Sequence, residues 1–210
     1  MDKKKIIYFF GATQFLLIAM NGLWSYGVIY FRELGFDSRD IGLMNSVGTF
    51  LSMGMLPLLG IISDRWMSPR KVFLIMAVTL IVSNALYPVL GLLMGAAFLP
   101  FAILVTIRSV GTQVASSMLE SWAGAEMDRL HASFGNVRRF GSLGYVITSL
   151  VASAVVGPLL PTWSCFVIMP IMGICMLLVC AGPMSKRLSG DTERKKKAPV
   201  KTGDLLKLVF

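Results

Sequence analysis

Charged residues are scarce in this 210-residue chain: Asp, Glu, Lys and Arg make up 15% of it, whereas apolar residues make up 55%. Soluble domains typically carry about a quarter charged residues, so an ordinary soluble domain is excluded. Acidic residues are fewer than basic residues, which leaves a net charge of +9. Because the positive residues form short clusters between long uncharged runs, we expect no nucleic-acid partner. The composition predicts a protein that lies in a membrane.

Cysteine and histidine are also few. The three cysteines, Cys165, Cys175 and Cys180, fall inside one apolar stretch, without the spacing of a zinc site or a disulfide framework. The single histidine, His131, lies in a polar segment. The HExxH and GxSxG motifs of hydrolases are absent, as are paired intramembrane aspartates. We therefore expect no enzymatic activity, no metal site and no cofactor.

Long charge-free runs predict six membrane-spanning helices. A helix needs about 20 apolar residues to cross a membrane, because each residue rises about 1.5 Å and the hydrocarbon core is about 30 Å thick. The first run is too long for a secretory signal and is predicted to be retained. Glycines and prolines divide the two longest runs. The sequence thus predicts an all-α membrane protein with a six-helix domain in residues 1–185 and spans at 6–31, 41–63, 72–93, 97–122, 140–157 and 162–184.

The distribution of lysine and arginine predicts that both ends of the chain face the cytoplasm, because positive residues are retained on that side in short loops. With the N-terminus inside, only Arg32 and Arg39 lie outside and only Arg108 lies within a span. Residues 186–210 are predicted to be a basic cytoplasmic linker followed by the start of a missing second half. We expect a multi-pass protein of the cell membrane.

Polar side chains recur on one face of three spans. A polar group in a membrane helix costs a few kcal/mol, so it normally faces a protein interior or an aqueous cavity. Small polar residues also join helices by hydrogen bonds, and that role suffices for the serines taken singly. A carboxylate and a guanidinium instead need each other or a ligand. The three stripes are Gln14, Asn21 and Ser25; Gln113 and Glu120; and Arg138, Ser142, Tyr145 and Ser149.

Arg108 is the deepest charge in the sequence. It lies about 18 Å from Glu120 along the same predicted helix, so the two cannot pair directly. Two roles stay open for it: a structural role, satisfied by a neighbouring span, and a role in proton coupling.

The segment GIISDRWMSPRK, residues 60–71, resembles the loop between helices two and three of the major facilitator superfamily, whose pattern is GxLxDRxGxRR. In that superfamily the Asp and Arg of this loop lock the cytoplasmic face. The resemblance therefore implies a gating loop, in which the matching residues are Gly60, Asp64, Arg65, Arg70 and Lys71.

The segment FGNVRRFGSLGY, residues 134–145, resembles the FGxxRxFGxxGW pattern of the lactose permease branch of this superfamily, which is shared with proton symporters for nucleosides, oligosaccharides and aromatic acids. Glu120 has the spacing of the sugar-binding carboxylate of that branch, Arg138 falls on its partner arginine, and Tyr145 replaces a tryptophan that stacks on the sugar. The resemblance implies that these three residues bind substrate.

Further candidates complete the predicted site. Gln113 and Asn21, from the polar stripes, are additional substrate-binding candidates. The segment that begins at Arg108 resembles a helix-four motif tied to proton coupling in drug–proton antiporters. That resemblance implies a coupling role for Arg108, together with Glu120.

These resemblances imply the N-terminal six-helix half of the major facilitator fold. The predicted function is secondary active transport of a small polar solute, by proton-coupled symport and alternating access. The expected partners are the solute, a proton or other coupling ion, the lipid bilayer and a second six-helix half. The alternative is a non-transporting half-length subunit or truncated remnant that assembles with another half, because the chain stops at Phe210 where apolar character resumes.

Overall fold

The computed structural model describes residues 3–65 and 67–182, and the side chains of residues 3–60 and 67–182. Apart from one isolated bridge between Val156 and Leu160, these residues contain no strand, which confirms the predicted all-α class. The predicted linker, residues 186–210, lies outside the described residues. The helices are α1 (Lys3–Trp24), α2 (Gly27–Glu33), α3 (Ser38–Arg65), α4 (Pro69–Met94), α5 (Phe98–Arg129), α6 (Gly135–Val155), a short 3₁₀ helix (Thr162–Ser164) and α7 (Cys165–Ala181).

The first predicted span, residues 6–31, is two helices in the structure. A turn at Ser25 and Tyr26 separates α1 from α2, and the Tyr26 amide donates to the carbonyl of Leu23 at 3.1 Å. Ser25 lies between two glycines, Gly22 and Gly27, and all three are weak helix formers. Together α1 and α2 still form one segment long and apolar enough to cross a membrane.

Five segments of the described chain have the length and apolar composition of a membrane span. The long helix without that composition is α6, which carries Arg138 and Arg139 near its N-terminus. Its 21 residues nevertheless reach about 32 Å, and it packs along α1 within the bundle. The five apolar segments are Lys3–Glu33, Ser38–Gly60, Pro69–Met94, Phe98–Arg129 and Thr162–Ala181.

Helix ends follow from local sequence. Gly35 adopts a φ of +100° just after α2, and the Phe36 amide donates to the carbonyl of Phe31 at 3.0 Å. This pairing closes a helix C-terminus, and glycine adopts the required left-handed conformation without strain. At the start of α4, Pro69 occupies a first-turn position, where its missing N–H costs no hydrogen bond.

Helix α1 packs against α6 and α7, whereas α5 packs against α3 and α4, and α4 also contacts α7. Glycines bring α1 and α6 unusually close. A Cβ atom at Gly144 would lie 2.6 Å from the carbonyl oxygen of Phe15, and one at Gly11 would lie 2.6 Å from the ring of Phe140. Because small residues let membrane helices approach closely, this contact fixes which side chains of α1 and α6 face each other.

The bundle has a basic end. Lys3 at the start of α1 donates to the carbonyl of His131 at 3.2 Å, and Arg70 at the start of α4 donates to the carbonyl of Cys180 at 3.4 Å. Arg129, at the end of α5, forms a 3.6 Å ion pair with Glu126. The starts of α1 and α4 therefore meet the ends of α5 and α7 at this face of the bundle.

Candidate functional site

An open groove of about 340 Å³ lies where α1, α5 and α6 meet, and we call it the central groove. Its volume is at the lower end of the range of small-molecule sites. It combines one carboxylate, one guanidinium, one amide, two hydroxyl groups and an aromatic ring. Its lining residues are Gln14, Ile18, Glu120, Arg138, Gly141, Ser142, Tyr145 and Val146.

Glu120 and Arg138 both line this groove but do not touch each other. Glu120 is half-buried on α5, and Arg138 is exposed on α6. Among the described residues, no ion pair of 4.0 Å or less joins these two side chains, and neither has another ionic partner. The groove therefore holds opposite charges whose polar atoms are free to contact a ligand.

Gln14 is a groove residue that the sequence-based site did not include. Its side chain is only 3% exposed, and its Oε1 atom has no hydrogen-bond partner among the described residues. It packs against α6 where Gly141 leaves room, since a Cβ there would lie 2.9 Å from its Cγ. The signal that could have found Gln14 was its place in the polar stripe of the first span.

Tyr145 lies on the same face of α6 as Arg138, seven residues or about 10 Å further along the helix. Its side chain is 45% exposed, and it lines the central groove. A planar ring is therefore present beside the two charges, as the sequence pattern indicated.

Arg108 lies apart from the groove, buried among α1, α4 and α5 with 4% exposure. Its Nε atom donates to Oδ1 of Asn84 at 3.3 Å, and its Nη2 atom donates to Oδ1 of Asn21 at 3.4 Å. The guanidinium carbon lies 3.7 Å from the centre of the Trp24 ring. No carboxylate of the described residues lies within ion-pair distance of it.

The structure thus separates residues that the sequence grouped together. Asn21, a substrate-binding candidate, contacts Arg108 and is not among the residues that line the central groove. Gln113 is exposed on α5 and also lies outside that lining. The groove retains Glu120, Arg138 and Tyr145 of the predicted substrate-binding set.

The predicted gating loop is largely helical. Gly60, Asp64 and Arg65 belong to α3, although the side chains of the last two lie outside the described residues. Arg70 and Lys71 lie in the first turn of α4. The Arg70 hydrogen bond to the Cys180 carbonyl joins α4 to α7 at the basic end.

Comparison with known proteins identifies the family of the chain. Residues 3–205 match the sequence profile of the MFS_1 like family. The chain belongs to this family. Its membership confirms the resemblance to the major facilitator superfamily drawn from residues 60–71 and 134–145.

A solved structure shows the same fold. The crystal structure of the nucleoside transporter NupG matches with a TM-score of 0.72 at 18% sequence identity. The match covers 87% of this chain and 46% of NupG, so the chain spans about half the length of that transporter. No curated protein sequence matches. The MFS_1 like chain is therefore a multi-pass membrane protein with a transporter fold.

Proposed function

We propose that this chain forms one half of a secondary active transporter and that the central groove is one wall of its solute site. The observation that supports this most directly is the presence of Glu120 and Arg138 in one groove without an ion pair between them. Two charges that stay apart at a membrane helix interface need another partner, and a polar solute supplies one.

The groove residues suit a ring-bearing polar solute. The carboxylate of Glu120 accepts hydrogen bonds from hydroxyl or amino groups, whereas the guanidinium of Arg138 donates to carbonyl or hydroxyl oxygens. The amide of Gln14 can do either, and the ring of Tyr145 offers a face for stacking. Nucleosides and oligosaccharides have this combination of ring, donors and acceptors. NupG, which shares the fold, is a nucleoside transporter, so nucleosides are the first class to test.

We place proton coupling on Glu120. It is the one carboxylate in the lining of the central groove, so protonation there removes a charge directly from the solute site. A protonated carboxyl can donate a hydrogen bond as well as accept one, so its affinity for the solute depends on its protonation state. We assign Arg108 a structural role instead, because two amides accept its hydrogen bonds and an indole ring packs against its guanidinium.

A second six-helix half would close the central groove. Transporters of this architecture hold the solute between two halves that rock against each other. Large apolar side chains are exposed on α6, which lines the groove, and on α3, which packs against α5, at Phe50, Met53, Leu150 and Val151. We propose that the second half covers this face and that the basic end lies in the cytoplasm of a cell-membrane protein.

An uptake panel tests this function. Membrane vesicles in which this chain is assembled with a second six-helix half would receive labelled uridine, lactose or an aromatic acid, with an imposed proton gradient or with the gradient collapsed. We expect one class to accumulate only when the gradient is present. Equal accumulation with and without the gradient would contradict proton coupling. If none of the three solute classes accumulates, the proposed solute transport is contradicted.

A further inference from the structure

A second groove, of about 480 Å³, lies away from the basic end, between α2, α4 and the 3₁₀ helix. We call it the lateral groove. Its walls are mostly apolar and aromatic, and Glu33 is the one charged residue in its lining. The lining residues are Tyr30, Glu33, Leu34, Pro88, Gly91, Leu92 and Trp163.

Helix α4 also exposes an apolar face, and Leu92 of the lateral groove lies near the edge of this face. This face consists of large side chains spaced three or four residues apart, which places them on one side of the helix. Other sides of α4 pack against α5 and α7, whereas the side chains of this face are between 41% and 77% exposed. In a membrane such a face contacts the acyl chains of lipids. Its residues are Ile75, Val78, Val82, Leu86, Val89 and Leu93, and the neighbouring Leu92, 88% exposed, also lines the lateral groove.

The residues at the rim place one end of the lateral groove at the level of the lipid headgroups. Trp163 is half exposed, whereas Tyr30 is buried and its hydroxyl donates to the carbonyl of Tyr87 at 3.2 Å. Tryptophan is enriched at membrane–water interfaces because it combines an apolar body with a polar tip. The carboxylate of Glu33, which lines the same groove, is exposed and accepts a hydrogen bond from the hydroxyl of Thr162.

The charge of the lateral groove favours lipids with a positively charged headgroup. The adjacent cation, Arg32, donates to the hydroxyl of Ser38 at 3.2 Å and is not among the lining residues. The lining therefore contains one carboxylate and no cation. An ammonium group complements this carboxylate, whereas the headgroup of an anionic lipid is repelled by it.

We propose that the lateral groove binds a membrane lipid with a primary ammonium headgroup, such as phosphatidylethanolamine. The ammonium group donates to Glu33, and one acyl chain lies against Pro88 and Leu92. This site is separate from the central groove, and the proposal does not depend on the transported solute.

Native mass spectrometry of the full chain with an equimolar mixture of phosphatidylethanolamine and phosphatidylglycerol tests the headgroup. We expect a preference for phosphatidylethanolamine of roughly two- to fivefold, the effect of one exposed ion pair. Glu33→Gln removes this preference, and Glu33→Lys reverses it. Asp37→Asn is the matched control, because it removes an exposed carboxylate four residues away that does not line the groove. Equal retention of the two lipids by the wild type, or an equal loss of preference in Asp37→Asn, overturns the proposal.

Fluorescence quenching tests the position without altering Glu33. Phosphatidylethanolamine with bromine atoms on its acyl chains quenches a tryptophan only at close range, and Trp163 lines the lateral groove. We expect brominated phosphatidylethanolamine to quench the wild type more than Trp163→Phe. Trp122→Phe, which removes a buried tryptophan, is expected to leave the quenching unchanged. Quenching that is the same in Trp163→Phe and wild type overturns the proposal.

Discussion

The guanidinium of Arg108 lies over the indole ring of Trp24, 3.7 Å from the ring centre, while Asn21 and Asn84 accept its hydrogen bonds. This cluster joins α1, α4 and α5 inside the bundle. It contrasts with the central groove, where the charges of Glu120 and Arg138 have no ionic partner among the described residues. The fold thus satisfies the charge of Arg108 inside the bundle, and we propose that a ligand pairs with Glu120 and Arg138.

The two groove charges are expected to be required for uptake. Glu120→Gln and Arg138→Ala each remove a charged hydrogen-bond partner of the solute, a loss of about 1.5–3 kcal/mol, or roughly 10- to 100-fold in solute affinity. Arg139→Ala is the matched control for Arg138→Ala, because Arg139 is the next residue of α6 and does not line the groove. Uptake kinetics in vesicles measure the effect. The residual uptake by Glu120→Gln is also expected to be independent of the proton gradient. Unchanged uptake kinetics in both Glu120→Gln and Arg138→Ala would refute the central groove as the solute site.

Arg108 is expected to act through stability. Asn84→Ala removes the acceptor of the Arg108 Nε–H group and leaves a buried donor unsatisfied, at a cost of about 1–3 kcal/mol. The midpoint of thermal unfolding in detergent should fall by several degrees. Asn45→Ala is the control, because its amide donates to the carbonyl of Ile41 in its own helix and to no other group of the described residues. If Asn84→Ala unfolds like the wild type but abolishes proton-dependent uptake, Arg108 belongs to the coupling machinery instead.

Tyr145 is expected to contribute its ring and not its hydroxyl. Tyr145→Ala removes the stacking face and should raise the KM for uptake roughly two- to tenfold, which corresponds to about 0.5–1.5 kcal/mol. Tyr145→Phe keeps the ring and should retain a KM close to that of the wild type. A comparable rise of KM in both variants would show that the hydroxyl matters instead.

The close contact of α1 with α6 is expected to depend on Gly144. An alanine there places its Cβ against the carbonyl of Phe15, and such overpacking costs about 1–3 kcal/mol. Gly124→Ala is the control, because a Cβ at that position of α5 meets no atom within 4 Å. Thermal unfolding should separate the two variants, with only Gly144→Ala destabilised. Equal stability would mean that the helices can move apart without cost.

The sequence predicted the all-α membrane fold because apolar length is a local property. The same holds for the face shared by Arg138 and Tyr145, since helical spacing alone places them together. Which helices meet across the bundle is not local, and it depends on glycine contacts such as that of Gly144 with Phe15. For that reason Asn21 was assigned to the substrate, although the packing of α1 turns it towards Arg108.

Gln14 is the opposite case, a residue that lines the central groove although the sequence pattern did not assign it to the substrate site. Its polar stripe was visible in the sequence, but only the position of Gly141 on α6 shows that it reaches the central groove. The turn at Ser25 and Tyr26 also escaped prediction, because the apolar run continues through it without a charge or a proline.

The most direct test of the central groove as the solute site is protection of a cysteine placed in it. Ser142→Cys puts a thiol in the groove lining, and Ser153→Cys puts one on an exposed site of the same helix outside the groove. We predict that the solute identified by the uptake panel slows alkylation of Cys at position 142 several-fold and leaves the rate at position 153 unchanged. Equal alkylation rates at position 142 with and without a saturating concentration of that solute would contradict the account.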